Sequence, residues 1–360
     1  MSQARVNKKD KRLDSASASA FGRSFGKIMA QCDFIDEHWQ PMQIGPLRSL
    51  SLHPATHAIH YASACFEGLK AFRHADGGLH IFRLEKHIVR FRSSARGLHL
   101  PVPEIETLIQ MITETVRENA DMVPQPPGAL YVRPSLFGTD ANLGAVTQPS
   151  VNAKLMVLVS PVGGYFSAGK GELCLHLLDD CRRAVPGIAA IKASANYALA
   201  LAPIMRARKE YGADQVLFCP DGDVQETGTS NFFLIDDKYL LTKPVDDSFL
   251  AGVKRDSILR LASDLGYDVA ERNYSPATLI DWLKYGEAAL CGTAAAITPV
   301  GAVIYKDSRY VVNEGRPQGN VDRLRQALLD IQFGRSADRN VWLSADISMG
   351  DEPRSLSLPE

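Results

Sequence analysis

The stretch that most constrains this chain is Ala189-Ala-Ile-Lys192-Ala-Ser-Ala-Asn196-Tyr197. A lysine follows a short apolar run, sits among small side chains and leads into a helix-like segment. Lysine is rarely buried, because its ammonium must be desolvated or paired. Held in a dry, electropositive site, it loses its proton and becomes a nucleophilic amine. The local residues alone favour a plainer reading, a helix-start lysine with its head in water. The rest of the chain has to decide.

With 360 residues, 45% of them hydrophobic, the chain can bury a large core and is expected to form two domains. A net charge of −1 provides no basic surface for nucleic acid. No apolar run reaches the roughly 18 to 20 residues of a membrane span. The N-terminus lacks the apolar core of a secretory signal, and Asp10 and Asp14 argue against a transit peptide. Cys32, Cys65, Cys174, Cys181, Cys219 and Cys291 are scattered, with no C-x-x-C. That usage fits reduced thiols in a cytoplasmic protein better than disulfides or a zinc site, so no metal is predicted.

Local patterning then divides the chain. Residues 34–82 alternate short apolar runs with Gly and His and read as strands, with Asp76-Gly77-Gly78 as a hairpin turn. Helical spacing covers 85–98 and 104–116, and buried strands are predicted over 129–137 and 153–160. The glycine-rich run 162–171 reads as a linker. After it come strands over 173–178, 216–219 and 231–235, and helices over 197–211, 255–265, 275–285 and 321–333. The expected organisation is a disordered tail over 1–30, a small domain over 31–162, a linker over 163–172, a larger domain over 173–343 and a flexible tail over 344–360. Without regular βα alternation, the class is two-domain α+β. Gly164 to Gly171 mimics G-x-x-x-x-G-K, but ends in Gly where a P-loop needs Ser or Thr, and it leads into a strand. It is not taken as a nucleotide site.

Seven separated runs carry a more specific signal. They are Tyr61-Ala-Ser-Ala-Cys-Phe66-Glu67-Gly68-Leu-Lys70-Ala-Phe72, Phe82-Arg83 with His87-x-x-Arg90, and Tyr131-Val-Arg133-Pro134. The second half adds Lys192-x-x-x-Asn196-Tyr197, Glu226-Thr-Gly228-Thr229-Ser-Asn231, Gly252-Val253-Lys254-Arg255-Asp256 and Gly292-Thr293-Ala294-Ala-Ala-Ile-Thr-Pro299. In this order, over roughly 34–342, the chain resembles the branched-chain amino-acid aminotransferases, fold-type IV enzymes that use pyridoxal 5'-phosphate (PLP).

The resemblance implies a role for each residue type. Lys192 would be the covalent anchor of the cofactor and the base that shuttles the substrate proton. Glu226 would keep the pyridine nitrogen protonated, and Tyr197 would donate to the ring hydroxyl. Arg90, the backbone amides of Val253 and Lys254 and the Thr293 hydroxyl would hold the phosphate. Tyr61, Phe66 and Tyr165 would wall an aliphatic side chain. Tyr131 and Arg133, two apart on one strand face, would take the second carboxylate of glutamate or 2-oxoglutarate. Thr229, Thr293 and Ala294 would meet the α-carboxylate side. Leu143 would reach into a neighbour's site, implying a homodimer.

The implied activity is transfer of the amino group between leucine, isoleucine or valine and 2-oxoglutarate, in ping-pong half-reactions through pyridoxamine phosphate. A D-amino-acid transaminase, an aminodeoxychorismate lyase and a PLP-binding protein without turnover are the alternatives. The first two fit the Tyr131–Pro134 and Phe66–Gly68 runs less well. Two departures stand out. Ser194-Ala195 occupies a place where the family often has two glycines, which bears on substrate range. Ala295 and Thr298 replace the paired cysteines of the animal enzymes, so no thiol switch is expected.

Overall fold

A computed structural model describes residues 21–145, 147–163, 171–294 and 296–348. Most of the expected linker, with Tyr165 and the P-loop-like run, lies outside the described residues, as does Ala295.

The first half of the chain runs β1 (Ile28–Ile35), β2 (His38–Trp39), β3 (Gln43–Pro46), α1 (His57–Tyr61), β4 (Ala64–Phe66), β5 (Leu69–Arg73) and β6 (Leu79–Ile81). It continues with α2 (Leu84–Gly97), α3 (Ile105–Glu118), β7 (Ala129–Gly138) and β8 (Ala153–Val162). The strands form one eight-stranded sheet in the order β2-β1-β8-β7-β5-β6, with β3 on β1 and β4 on β7. Its centre is the β7–β8 pair, in register from Ala129↔Val162 to Gly138↔Ala153. Ile88, Phe91 and Ala95 of α2 and Leu108, Met111 and Ile112 of α3 recur at helical spacing and bury their stripes against Leu130, Val132, Leu155 and Val157. The expected Asp76–Gly78 turn joins β5 to β6, with Gly77 at φ +93° where a side chain would be strained.

The second half runs β9 (Leu173–Leu178), α4 (Ser194–Tyr211), β10 (Gln215–Phe218), β11 (Asn231–Ile235), β12 (Tyr239–Thr242), α5 (Val253–Asp264), β13 (Asp268–Glu271) and α6 (Pro276–Trp282). After these come β14 (Glu287–Gly292), β15 (Ala296–Tyr305), β16 (Ser308–Val311) and α7 (Gly319–Gln332). They build a mixed sheet in the order β10-β9-β15-β14-β11-β12-β13, with β16 on β15. One core cluster joins the sheets: Phe72, Phe82 and Tyr131 of the first pack with Phe233, Ala289 and Ile297 of the second and with α5 and α7.

Described segments of both expected tails are packed in the structure. β1 begins at Ile28 and places Met29 and Ala30 in the core, where β1 pairs with β8, so a tail reaching residue 30 is corrected. At the other end, the amides of Ser344 and Ile347 donate to the carbonyls of Ile81 and Leu79, so 344–348 continue the packed chain. The helix expected over 275–285 closes at Trp282. Strands β12 to β16 had no counterpart in the sequence reading. β14 and β15 are near-continuous buried runs, and such runs lack the alternation that marks a strand. No described helix is long and apolar enough to cross a membrane.

Candidate active site

A cavity opens between the sheets. It is lined by Arg90, Lys192, Tyr197, Glu226, Thr229, Val253, Lys254 and Thr293, together with Arg183, Asn231, Leu250, Gly252, Cys291 and Gly292. Eight residues singled out from separate motifs therefore line one cavity.

Lys192 stands just before α4, and both halves of the chain hold it. Its amide donates to Ser94 Oγ at 3.0 Å, and its carbonyl accepts from the Phe66 amide. Asn196 fixes the preceding turn by donating to the carbonyls of Ile188 and Ile191, which accounts for the Asn of the Asn-Tyr pair. Nζ of Lys192 donates to Tyr197 Oη at 2.7 Å. Burial, then the nearby Arg90, lowers the Lys192 amine to about 8, with Glu67 opposing. Burial raises the Tyr197 hydroxyl to about 12, so it keeps its proton at neutral pH. The amine is thus close to deprotonation, as a nucleophile or base requires.

At one end of the cavity Glu226, 3% exposed, accepts from Arg183 Nε at 2.6 Å and Asn231 Nδ2 at 2.9 Å. Burial pushes this carboxyl up, against the pull of Arg183. Nη1 of Arg183 is buried and has no partner among the described residues. Sequence reasoning missed Arg183. Nothing local separates it from Arg182, which lies on the surface and pairs with Asp221.

At the other end α5 begins at Val253 after Gly252, with no side-chain cap, leaving its first amides free to face an anion. A Cβ at Gly252 would overlap Asn231 Oδ1, so only glycine fits this approach. Arg90 joins this end, but its guanidinium is already engaged. Nε and Nη2 donate to Glu67 at 2.6 and 2.9 Å, and Nη1 donates to the Ala251 carbonyl at 2.9 Å. His87 Nδ1 lies 2.7 Å from the same carboxylate. Burial opposes charge on Glu67, yet Arg90 and His87 outweigh it and hold the carboxyl far below its usual range. His87 is lowered to about 4, by burial first, so its neutral ring donates to Glu67.

Beside Lys192, the Phe66 ring packs on Tyr197 with centroids 4.9 Å apart. The Arg133 guanidinium lies 4.4 Å over Phe66 and donates to Tyr131 Oη at 2.7 Å. A Cβ at Gly68 would overlap that hydroxyl, so this glycine admits Tyr131. Arg133 Nε is buried and has no partner among the described residues. Tyr61, expected to wall an aliphatic side chain with Phe66, packs near His57 and His60 and donates to the carbonyl of Leu143, which is 62% exposed. That bond joins the end of α1 to the loop around Leu143 as one unit. Ala294 accepts from Lys70 Nζ at 2.8 Å. No described cluster of His, Cys, Asp or Glu could hold a metal.

A buried amine thus stands between an acid–guanidinium pair and an uncapped helix start. The chain belongs to the amino-transferase class IV family, whose sequence profile matches residues 64–303. It is therefore an aminotransferase by family. It is similar to the probable branched-chain-amino-acid aminotransferase of Streptomyces coelicolor, with 36% identity over 90% of this chain and 91% of that one. Its structure resembles a T.th. branched-chain amino acid aminotransferase with pyridoxamine 5'-phosphate (TM-score 0.75, 26% identity, 90% of this chain and 100% of that one). The same T.th. enzyme complexed with N-(5'-phosphopyridoxyl)-L-glutamate aligns with a TM-score of 0.70 and 26% identity over 88% and 98% of the two chains.

Proposed function

We propose that the chain binds PLP in this cavity and transfers the amino group between branched-chain L-amino acids and 2-oxoglutarate, giving branched-chain 2-oxo acids and L-glutamate. The donors present fit the cofactor. The Glu226 carboxylate, fixed by Arg183 and Asn231, suits a protonated pyridine nitrogen. The free amides of α5, Arg90 and Thr293 suit the phosphate. When bound, PLP withdraws electrons from the substrate's Cα bonds.

The residues of the chain would do the rest. Glu226 would hold the proton at the ring nitrogen, with Arg183 and Asn231 fixing its position. Lys192 would anchor the cofactor and then move the proton at Cα, with Tyr197 orienting its amine. Phe66 would exclude water beside an aliphatic side chain, and Arg133 with Tyr131 would take a second carboxylate. The exposed Leu143–Tyr61 unit supports a homodimer in which it reaches a neighbouring subunit's site. The scattered free cysteines support a cytoplasmic home.

The observation that carries the reading is the Lys192 amine, poised near 8 between the Glu226–Arg183 pair and the α5 start. A screen of amino donors against 2-oxoglutarate tests it. Leucine, isoleucine and valine should bleach the visible cofactor band and yield glutamate. Glutamate formation from D-amino acids only, or a bound cofactor that no donor bleaches, would replace this reading with one of its alternatives.

A further inference from the structure

At the anion-binding end of the cavity a half-buried lysine, Lys70, stands beside a buried one, Lys254. Lys70 lies on β5 of the first sheet, opposite Tyr131 of β7. Its ammonium crosses to the second sheet and donates to the Ala294 carbonyl at 2.8 Å. Ala294 sits in the tip of the β14–β15 hairpin, beyond the last strand pair, Gly292↔Ala296. Strand pairing therefore does not hold the tip. Thr293, on the same tip, faces the cavity alongside Val253 and Lys254 of α5.

The second lysine, Lys254, places Nζ 3.6 Å over the Phe82 ring. Burial lowers Lys70 to about 8. Burial, then Lys70 and Arg83, lowers Lys254 as well, with only Cys291 opposing. No carboxylate offsets either ammonium among the described residues. A buried ammonium without a carboxylate is costly. A methionine of similar length would fill the space of Lys70 without that cost, but it could not hold a carbonyl.

We infer that Lys70 is a positioning residue: by holding the Ala294 carbonyl from the opposite sheet, it sets the Thr293–Ala294 tip against the start of α5 and so shapes the anion-binding end of the site. The inference rests on the proposed use of the cavity and adds to it a residue that acts through another. The anion served is the cofactor's phosphate or the substrate's α-carboxylate, and the test separates them.

Lys70→Met and Lys70→Arg are compared with the wild type as full-length protein. Losing one charge-assisted hydrogen bond should raise either the dissociation constant of PLP, read by fluorescence titration, or the KM for leucine, by roughly tenfold. A rise in the first assigns the phosphate, and a rise in the second the carboxylate. kcat should move far less, and Lys70→Arg should recover most of the loss. A crystal structure of Lys70→Met should show residues 293–295 displaced. An unmoved tip, or unchanged constants with only a lower Tm, overturns the inference. If the wild type takes up no PLP, the reading of the cavity fails, and the position of the tip still decides the role of Lys70. Should Lys70→Met not fold, Lys70→Gln, one bond shorter, carries the same comparison.

Discussion

At the two ends of the cavity a lining arginine holds a buried glutamate 2.6 Å from its Nε, yet the pairs behave in opposite ways. Glu67 accepts two hydrogen bonds from Arg90, lies against His87 Nδ1 and accepts a long bond from the Gly68 amide. Its carboxyl is held down. Glu226 accepts from a single nitrogen of Arg183 and from Asn231, with the Leu250 amide distant at 3.4 Å. Its carboxyl is pushed up, and Arg183 keeps a nitrogen without a partner among the described residues. Both carboxyls are buried, so the neighbours decide the sign: Arg90 with His87 outweighs burial at Glu67, and Arg183 does not at Glu226. The Glu67 pair is closed on itself and fixes structure. The Glu226 pair has capacity to spare, as a group that must meet a ligand requires.

Lys192 stands between the two ends, and its replacement gives the largest effect. Lys192→Ala should abolish turnover and the borohydride-reducible link to PLP while the fold survives. Peptide mapping that finds a reduced cofactor on Lys70 or Lys254 would reassign the anchor.

Next comes the open pair. Glu226→Gln should weaken retention of the ring proton and cost about two to three orders of magnitude in kcat, the scale for an electrostatic partner lost at a reacting centre. Wild-type kcat with only a lower protein yield would make this pair as structural as the other.

This contrast was only half legible in the sequence. Glu226 stood out because its run, Glu-x-Gly-Thr-x-Asn, is compact, and Asn231 does hold it across five residues. Arg183 did not, because its burial is decided by how the loop before Lys192 folds against residues 224–230, a contact 43 positions apart. Glu67 was visible as part of a motif, but its pairing with α2 is likewise a tertiary fact. The fold divided in the same way. Amphipathic helices were readable to within a few residues, whereas β14 and β15, buried on both faces, show no period to read.

Arg133 supplies a third case, a guanidinium with a hydroxyl and an aromatic face but no carboxylate among its described partners. Leucine would leave it so, and glutamate would complete it. Arg133→Met removes the charge and keeps the bulk. The loss should fall on glutamate and 2-oxoglutarate, by about 2 to 4 kcal/mol in kcat/KM, with the leucine half-reaction little changed. Single-turnover absorbance measures both half-reactions. Equal losses would mean that Arg133 serves the fold, as Arg90 partly does.

The closed pair should show the weakest effect on turnover and a clear effect on stability. Glu67→Gln keeps the shape of the side chain but leaves Arg90 buried without its counter-charge, which costs about 3 to 5 kcal/mol on the scale for breaking a buried pair. kcat at saturating PLP should change little. The sign with pH follows from the direction of the shift. A carboxyl held below its unfolded value contributes stability that is complete above about pH 4.5 and is lost as pH falls toward the folded value. The gap between wild type and Glu67→Gln should therefore be constant from pH 7 to 5 and narrow below about 4.5. His87, lowered to about 4, keeps its neutral form in the fold, so both proteins lose stability as pH falls from about 6.5 toward 4. Down to about pH 4 that slope is common to both proteins and cancels; below it, removal of Glu67, which helps His87 hold its proton, deepens the loss in the variant, so the narrowing is read between about pH 4.5 and 4. Denaturant titrations from pH 7 to 3.5 read the gap directly. A gap that does not narrow in acid would mean that Glu67 is not ionised in the fold, and the distinction between a closed and an open pair would fail.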